Sequence, residues 1–429
     1  MTVRAARRKG TVRFWLRRVL VAAILILILT TGSVTPEQQF DLQLSPLIGR
    51  RGFDWFGWEA DAIGDELGWW LQGSPLPGDA ASQRGEVLDF VARQQRLQDL
   101  ERRTRRVQAE PPEPRLAAPA TDEGAVLPAV AALQDQMDAL YRRQVEASWR
   151  VEHVMAAQVS RALVAQGLGT GGVLLPPVAF RFNEMPTYLV VSPRKEIRLY
   201  RGAFLLPELG NTDRVDVESV VEASLGVSAL VDDVGGIGSW PTMIIRTESL
   251  LDLLDTVAHE WTHTYLLFHP LGANYDVSRD LTTMNETVAS LAGAEVADLV
   301  LADSYPDLIE ANTAGNTGSS KPSAFSLAMR RIRLHVDELL AAGQVQEAET
   351  FMEAERERLV AEGYSLRRLN QAYFAFHGSY ATSPTSVDPI GPWMRQLRAQ
   401  SGSLKAFLER VAPMQSLDDL LSALGEQKS

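Results

Sequence analysis

Two of the six histidines in this 429-residue chain stand four positions apart, in His259-Glu260-Trp261-Thr262-His263. That spacing constrains the local structure strongly. On a helix, residues four apart share a face one turn apart, so the two imidazoles can meet at one point. The preceding residues repeat on the same period. Leu250, Leu253, Leu254, Val257, Ala258 and Trp261 recur at three- and four-residue steps and mark one apolar face. Thr247 is the expected N-cap. The stretch before it, Gly235-Gly236-Ile237-Gly238-Ser239-Trp240-Pro241, is rich in turn residues and leads into an expected strand at Thr242–Arg246.

Two imidazoles on one helix face suit a divalent ion, and the rest of the chain narrows the choice of donors. There is no cysteine, so thiolate ligands, disulfides and a cysteine nucleophile are excluded. A metal here must be held by His, Asp or Glu. A catalytic zinc takes three protein ligands and keeps one position open. Glu286 is the candidate third donor. It follows Asn285, lies 23 residues beyond His263, and falls inside the next expected helix, about Thr282–Ala302. His259, His263 and Glu286 would then hold one Zn2+, with Glu260 beside the first ligand as general base. The bland alternative is a helix whose histidines are ordinary core or surface residues, followed by a solvated glutamate.

This pattern resembles the gluzincins, the thermolysin-like and related zinc metallopeptidases, in which HExxH supplies two ligands and the base and an Asn-Glu on the following helix supplies the third. The resemblance covers residues 235–300, about a sixth of the chain. It implies the same roles for His259, Glu260, His263 and Glu286, a zincin-like small sheet, and peptide or protein substrates. It also implies that the strand before the zinc helix, Gly238–Arg246, is an edge strand that pairs with an extended substrate; the alternative is an inner strand. Two features depart from the pattern. Ser290 stands where many thermolysin-like chains have an aspartate, which leaves Glu295 and Asp298 as the candidates for orienting a ligand imidazole. The Gly-x-Met-Glu-Asn strand of the large aminopeptidases is absent, so endo- and exopeptidase activity both stay open.

Amide hydrolysis also needs a donor for the oxyanion. The segment Leu369-Asn370-Gln371-Ala372-Tyr373-Phe374-Ala375-Phe376-His377-Gly378-Ser379-Tyr380 faintly resembles one in bacterial aminopeptidase-like proteins that ends in Gly-x-Tyr. His377 and Tyr380 are the candidate donors, with Tyr373 behind them; the alternative is an aromatic helix end closed by Gly378. Tyr265 lies two residues past the second ligand and is expected in the core. His269 precedes Pro270 at the helix exit. His153 and His335 sit in charged helical stretches and are read as bystanders.

The N-terminus is a targeting segment. Arg4, Arg7, Arg8, Lys9, Arg13, Arg17 and Arg18 precede the apolar run Val19–Leu29. With 21 residues from Phe14 to Val34, a single membrane span fits if Arg17 and Arg18 reach the interface. Positive residues stay inside, which places the N-terminus in the cytoplasm and the rest beyond the membrane. A cleaved signal and a secreted product is the alternative. Removing that +7 from the net charge of −12 leaves −19 for the remainder, which argues against nucleic acid as a partner. Phe53–Trp58, Trp69 and Trp70 follow the apolar run; they are expected either at the lipid interface or packed within the protein.

The chain therefore divides into a cytoplasmic basic segment and transmembrane anchor (1–35), a juxtamembrane helical segment with a Pro-rich linker (36–121), and a catalytic domain (122–429). The expected class is α+β, mainly helical, with a helical C-terminal half. Two other readings stand beside a peptidase: a zinc hydrolase of a non-peptide amide, and a membrane-tethered scaffold that keeps the fold without turnover. Oligomeric state is not readable from the sequence.

Overall fold

A computed structural model describes residues 35–73, 76, 78–109, 123–207, 209–313, 324–378 and 389–425. The expected anchor apart from Thr35, nearly all of the Pro-rich linker and Tyr380 lie outside the described residues. Among those described, no helix is long and apolar enough to cross a membrane. The chain forms two compact units, up to Arg50 and from Arg51 onward. In the first, helix α1 (Pro36–Ile48) is opened by a capping box in which Thr35 and Gln38 each accept the other's backbone N–H.

The second unit is α+β and mainly helical. Helices α2 (Trp55–Leu71), α3 (Ala80–Ala109) and α4 (Glu123–Ala165) precede strands β1 (Phe180–Phe182), β2 (Pro186–Pro193) and β3 (Arg201–Pro207). Helix α5 (Asn211–Leu225) and strands β4 (Val227–Asp233), β5 (Gly236–Ile237) and β6 (Thr242–Ile244) follow. The remainder is helical: α6 (Leu250–Leu267), α7 (Pro270–Ala273), α8 (Arg279–Ser304), α9 (Pro306–Thr313), α10 (Ala324–Ala341), α11 (Val345–Ala361), α12 (Gln371–His377), α13 (Ile390–Ala399), α14 (Leu404–Val411) and α15 (Leu417–Leu424).

There are two small sheets rather than one. In the first, β2 lies between β3 and β4, antiparallel to both, with Leu189 opposite Ala203 and Val231. In the second, β6 lies between β1, which is parallel to it, and β5, which is antiparallel. The strand before the HExxH helix is therefore the inner one of its sheet, and the edge falls on Gly236–Ile237 instead. The expected strand at Ile197–Tyr200 is a loop; the strand begins at Arg201. Helix α5 and β4 were not anticipated.

The main core joins α3, α4, α6, α8 and the C-terminal helices α13–α15 through residues such as Phe90, Met155, Leu254, Val288 and Phe407. Helix α6 is capped by Ser249, whose Oγ accepts from Asp252 N at 3.2 Å; Thr247 instead donates to the Ser249 carbonyl. Helix α8 is capped by Ser278. A glycine at 293 permits the two helices to approach closely: a Cβ there would overlap the Asp255 carboxylate and come within 3.2 Å of His259 Cβ.

Two buried charge groups tie distant elements together. Glu218 on α5 accepts from Arg367 at 2.6 and 2.8 Å, from Arg368 at 3.1 Å and from Val231 N at 2.6 Å. On α4, the bystander His153 is buried. Its Nδ1–H donates to the Trp149 carbonyl at 2.7 Å, its Nε2 lies 3.4 Å from Glu66, and its ring sits between Trp69 and Trp149. Arg181 joins the same group, donating to Glu66 at 2.8 Å and lying 3.6 Å from Glu152. His335 is exposed beside Glu338, as its surroundings in the sequence suggest.

Candidate metal centre

Helices α6 and α8 bring the three expected donors together. His259 Nε2 and His263 Nε2 lie 3.0 Å apart, and Glu286 Oε2 lies 3.5 and 3.6 Å from them. The three residues form the one candidate metal-holding group of His and acidic side chains found among the described residues. A tetrahedral ion with ligand bonds of about 2.0–2.2 Å places its donors roughly 3.4 Å apart. The triangle matches that size. The buried Oε2 of Glu286 has no hydrogen-bond partner, whereas a buried carboxylate oxygen ordinarily has one. A cation at the centre of the triangle would supply it, so the donor set fits a zinc ion.

Neighbouring groups fix how two of the donors point. His263 donates through Nδ1 to Asn285 Oδ1 at 2.6 Å, and the Asn285 amide is oriented by donating to the Leu271 carbonyl at 3.3 Å. When the ring is neutral with its proton on Nδ1, the Nε2 lone pair of His263 faces the other donors. Tyr275 donates its hydroxyl to Glu286 Oε1 at 2.5 Å, which leaves Oε2 for the centre. Neither Asn285 nor Tyr275 was assigned a role from the sequence. Asn285 was legible only as half of an Asn-Glu pair, and Tyr275 stands in the connection between the two helices, where no period marks it. The residues offered for this orienting role lie elsewhere. Glu295 is held by Arg398 at 2.7 and 2.8 Å, and Asp298 is exposed.

Without a cation among them, Glu286 and His263 favour each other's charged forms. Burial works against a charged His263, but the Glu286 carboxylate outweighs it and lifts the imidazole to about 9. Burial likewise opposes an ionised Glu286, yet His263 and His259 hold its carboxyl well below the usual range. Glu260 behaves differently. Burial raises its pKa, and the two imidazoles only partly offset that effect.

Glu260 sits beneath the edge of the second sheet. A Cβ at Gly236 would overlap its carboxylate, and one at Gly238 would lie 3.5 Å from Oε2 and 3.7 Å from His263 Cβ. The two glycines let the strand pass directly over the carboxylate. Trp261 faces the core and donates to the Pro176 carbonyl at 2.8 Å; Tyr265 stacks on it, as expected for a residue turned from the donors. His269 caps the short helix α7 and lies against Tyr265.

The second group of candidates is placed apart from these contacts. His377 ends α12, where its Nε2 pairs with Asp232 Oδ2 at 2.8 Å and its ring contacts Tyr373 and Phe376. No hydrogen bond or ring contact among the described residues joins it to His259, His263 or Glu286. Asp232 lies in β4, four residues before Gly236, so His377 is fixed on the stretch that leads to the strand over Glu260. Burial and the charge of Asp232 raise Tyr373 to about 12. Tyr380 lies outside the described residues.

No protein-family model, no curated protein and no solved structure matches the chain.

Proposed function

We propose that this protein is a zinc-dependent hydrolase of peptide bonds, of the gluzincin type, tethered by its N-terminal segment with the hydrolase domain outside the cytoplasm. The observation that carries the reading is the convergence of His259 Nε2, His263 Nε2 and the unpartnered Glu286 Oε2, with Glu260 alongside. Zinc bound there would act as a Lewis acid on a carbonyl and make water a stronger nucleophile. The protein's own groups do the rest. Glu260 takes a proton from the attacking water as that water adds to the scissile carbonyl carbon. It returns the proton to the leaving amine as the C–N bond breaks. A carboxyl raised by burial suits both halves of that exchange. Asn285 and Tyr275 hold the donors in register.

The edge strand β5 supports a peptide as substrate. An extended chain laid along Gly236–Ile237 would run beside Glu260, held by main-chain hydrogen bonds.

The test combines metal analysis with hydrolysis of a mixed peptide library by the full chain and by Glu260→Gln. One zinc per chain is expected in both, with hydrolysis in the parent and its loss in the variant. A chain that takes up no zinc, or a variant that still cleaves peptides, would remove the reading.

A further inference from the structure

Helix α2 has three distinct faces. One is packed: Trp58 lies in the cluster around Ile237 and Met243, Ala62 and Glu66 are buried, and Glu59 accepts from Trp240 N at 3.0 Å. A second face is acidic and exposed, with Asp61 and Asp65. The third is apolar. Phe56 is 80% exposed, Leu67 46%, Trp70 38% and Leu71 89%, and the half-buried Ile63 lies between them. Positions 56, 60, 63, 67 and 70 follow three- and four-residue steps, so these side chains form one stripe along the helix. A continuous stripe of large apolar side chains in water is unusual, and such surfaces mark interaction sites.

We infer that this stripe lies against the lipid surface of the membrane that holds the N-terminus. The inference rests on the anchor reading above and adds to it the face the domain turns to the bilayer. Phe56 stands 27 residues beyond Leu29, the last residue of the apolar run, so α2 is within reach of the surface that run would enter. Two of the stripe's members are aromatic, the residues favoured at the boundary between lipid and water. Helix α2 contains Glu59, Asp61, Asp65 and Glu66 and no Lys or Arg, so the stripe has no basic flank to meet an anionic headgroup. The same composition sets the kind of contact. It depends on apolar burial, needs no anionic lipid, and is insensitive to salt.

The absence of cysteine makes the test direct. The full chain is reconstituted into phosphatidylcholine vesicles, with single substitutions Phe56→Cys, Leu67→Cys and Leu71→Cys carrying an environment-sensitive fluorophore. Asp61→Cys and Asp65→Cys serve as references for the water-facing side. Labels on the stripe should be quenched several-fold more by a lipid-borne quencher than the references, equally in low and high salt. If the chain floats with the vesicles but all five labels respond only to an aqueous quencher, the stripe assignment is wrong and the anchor stands. If the chain fails to float, the anchor reading falls and takes the stripe with it. Stripe labels shielded from the aqueous quencher yet untouched by the lipid-borne one would assign the face to a second copy and overturn the proposal.

Discussion

His263 and Asn285 are joined by a 2.6 Å hydrogen bond from imidazole Nδ1 to amide oxygen, and Asn285 is the residue immediately before Glu286. One turn of α8 thus supplies both a donor atom and the group that orients another. Replacing Asn285 by alanine removes the acceptor and frees the ring to rotate or change tautomer. Zinc affinity should fall about 10–100-fold. Competition with a chelator of known strength measures this, and an unchanged affinity would show that the bond does not set the ring.

Tyr275→Phe keeps the ring and removes the one hydroxyl that holds Glu286 Oε1. The carboxylate then loses its fixed orientation. Zinc affinity should drop by about tenfold, with the thermal midpoint of the protein little altered. A large loss of stability instead would mean that the tyrosine serves packing.

Gly236→Ala separates metal binding from turnover. The added methyl group has no room beside the Glu260 carboxylate, so strand or carboxylate must shift. A displacement near 1 Å at a reacting group costs about 10²-fold in rate. Peptide hydrolysis should fall by that order while zinc content stays at the parental level, because none of the three donors touches Gly236. Full activity in the variant would show that the strand does not position Glu260.

Glu152 gives a pH signature. Burial raises its pKa from 4.5 to about 7, although Arg181, Phe182 N–H, His153 and Arg246 all favour the charged form. Nearby Glu66 is also desolvated by burial, but there His153 and Arg181 prevail and its pKa is lowered. A carboxyl whose folded pKa lies above its unfolded value binds the extra proton in the native state. Its contribution is therefore full below pH 4.5 and is lost as pH rises through 7. The difference is on the order of 3 kcal/mol. Denaturant titrations of parent and Glu152→Gln across that window should differ in slope, with the variant flatter. Parallel curves would remove the assignment.

Glu218→Ala should be severe. It removes the fully buried carboxylate on which Arg367 and Arg368 converge, leaving Arg368 with Glu222 and Arg367 with the Val231 carbonyl. Breaking such a group by removing one partner costs about 3–5 kcal/mol, readable as a fall in denaturation midpoint. A change within a few tenths of a kcal/mol would mean that water replaces the lost partner.

Much of the centre was legible because its chemistry is local. Four-residue spacing put His259 and His263 on one face, and the apolar period around Asn285 and Glu286 put the third donor on a helix. The mainly helical α+β class followed from similar periods. What escaped depends on pairing between distant segments. Thr242–Ile244 reads as a strand, but its place inside the sheet is decided by Phe180–Phe182, some sixty residues earlier. His153 has charged neighbours in Arg150 and Glu152, and Glu66 and Trp69, which arrive from α2, help to bury it. The three glycines at 235, 236 and 238 mark a turn-rich stretch, yet nothing in their spacing says that Glu260 lies beneath two of them.

All three donors fall between residues 259 and 286, on a helix pair joined by a short connection, whereas the strand over Glu260 is braced from α2, nearly two hundred residues upstream. Under the proposed function, ion capture and bond cleavage would depend on different lengths of chain. Drift in the upstream brace would then silence the chemistry and leave the ion-holding hairpin behind, so a descendant of this fold could persist as a metal carrier without turnover.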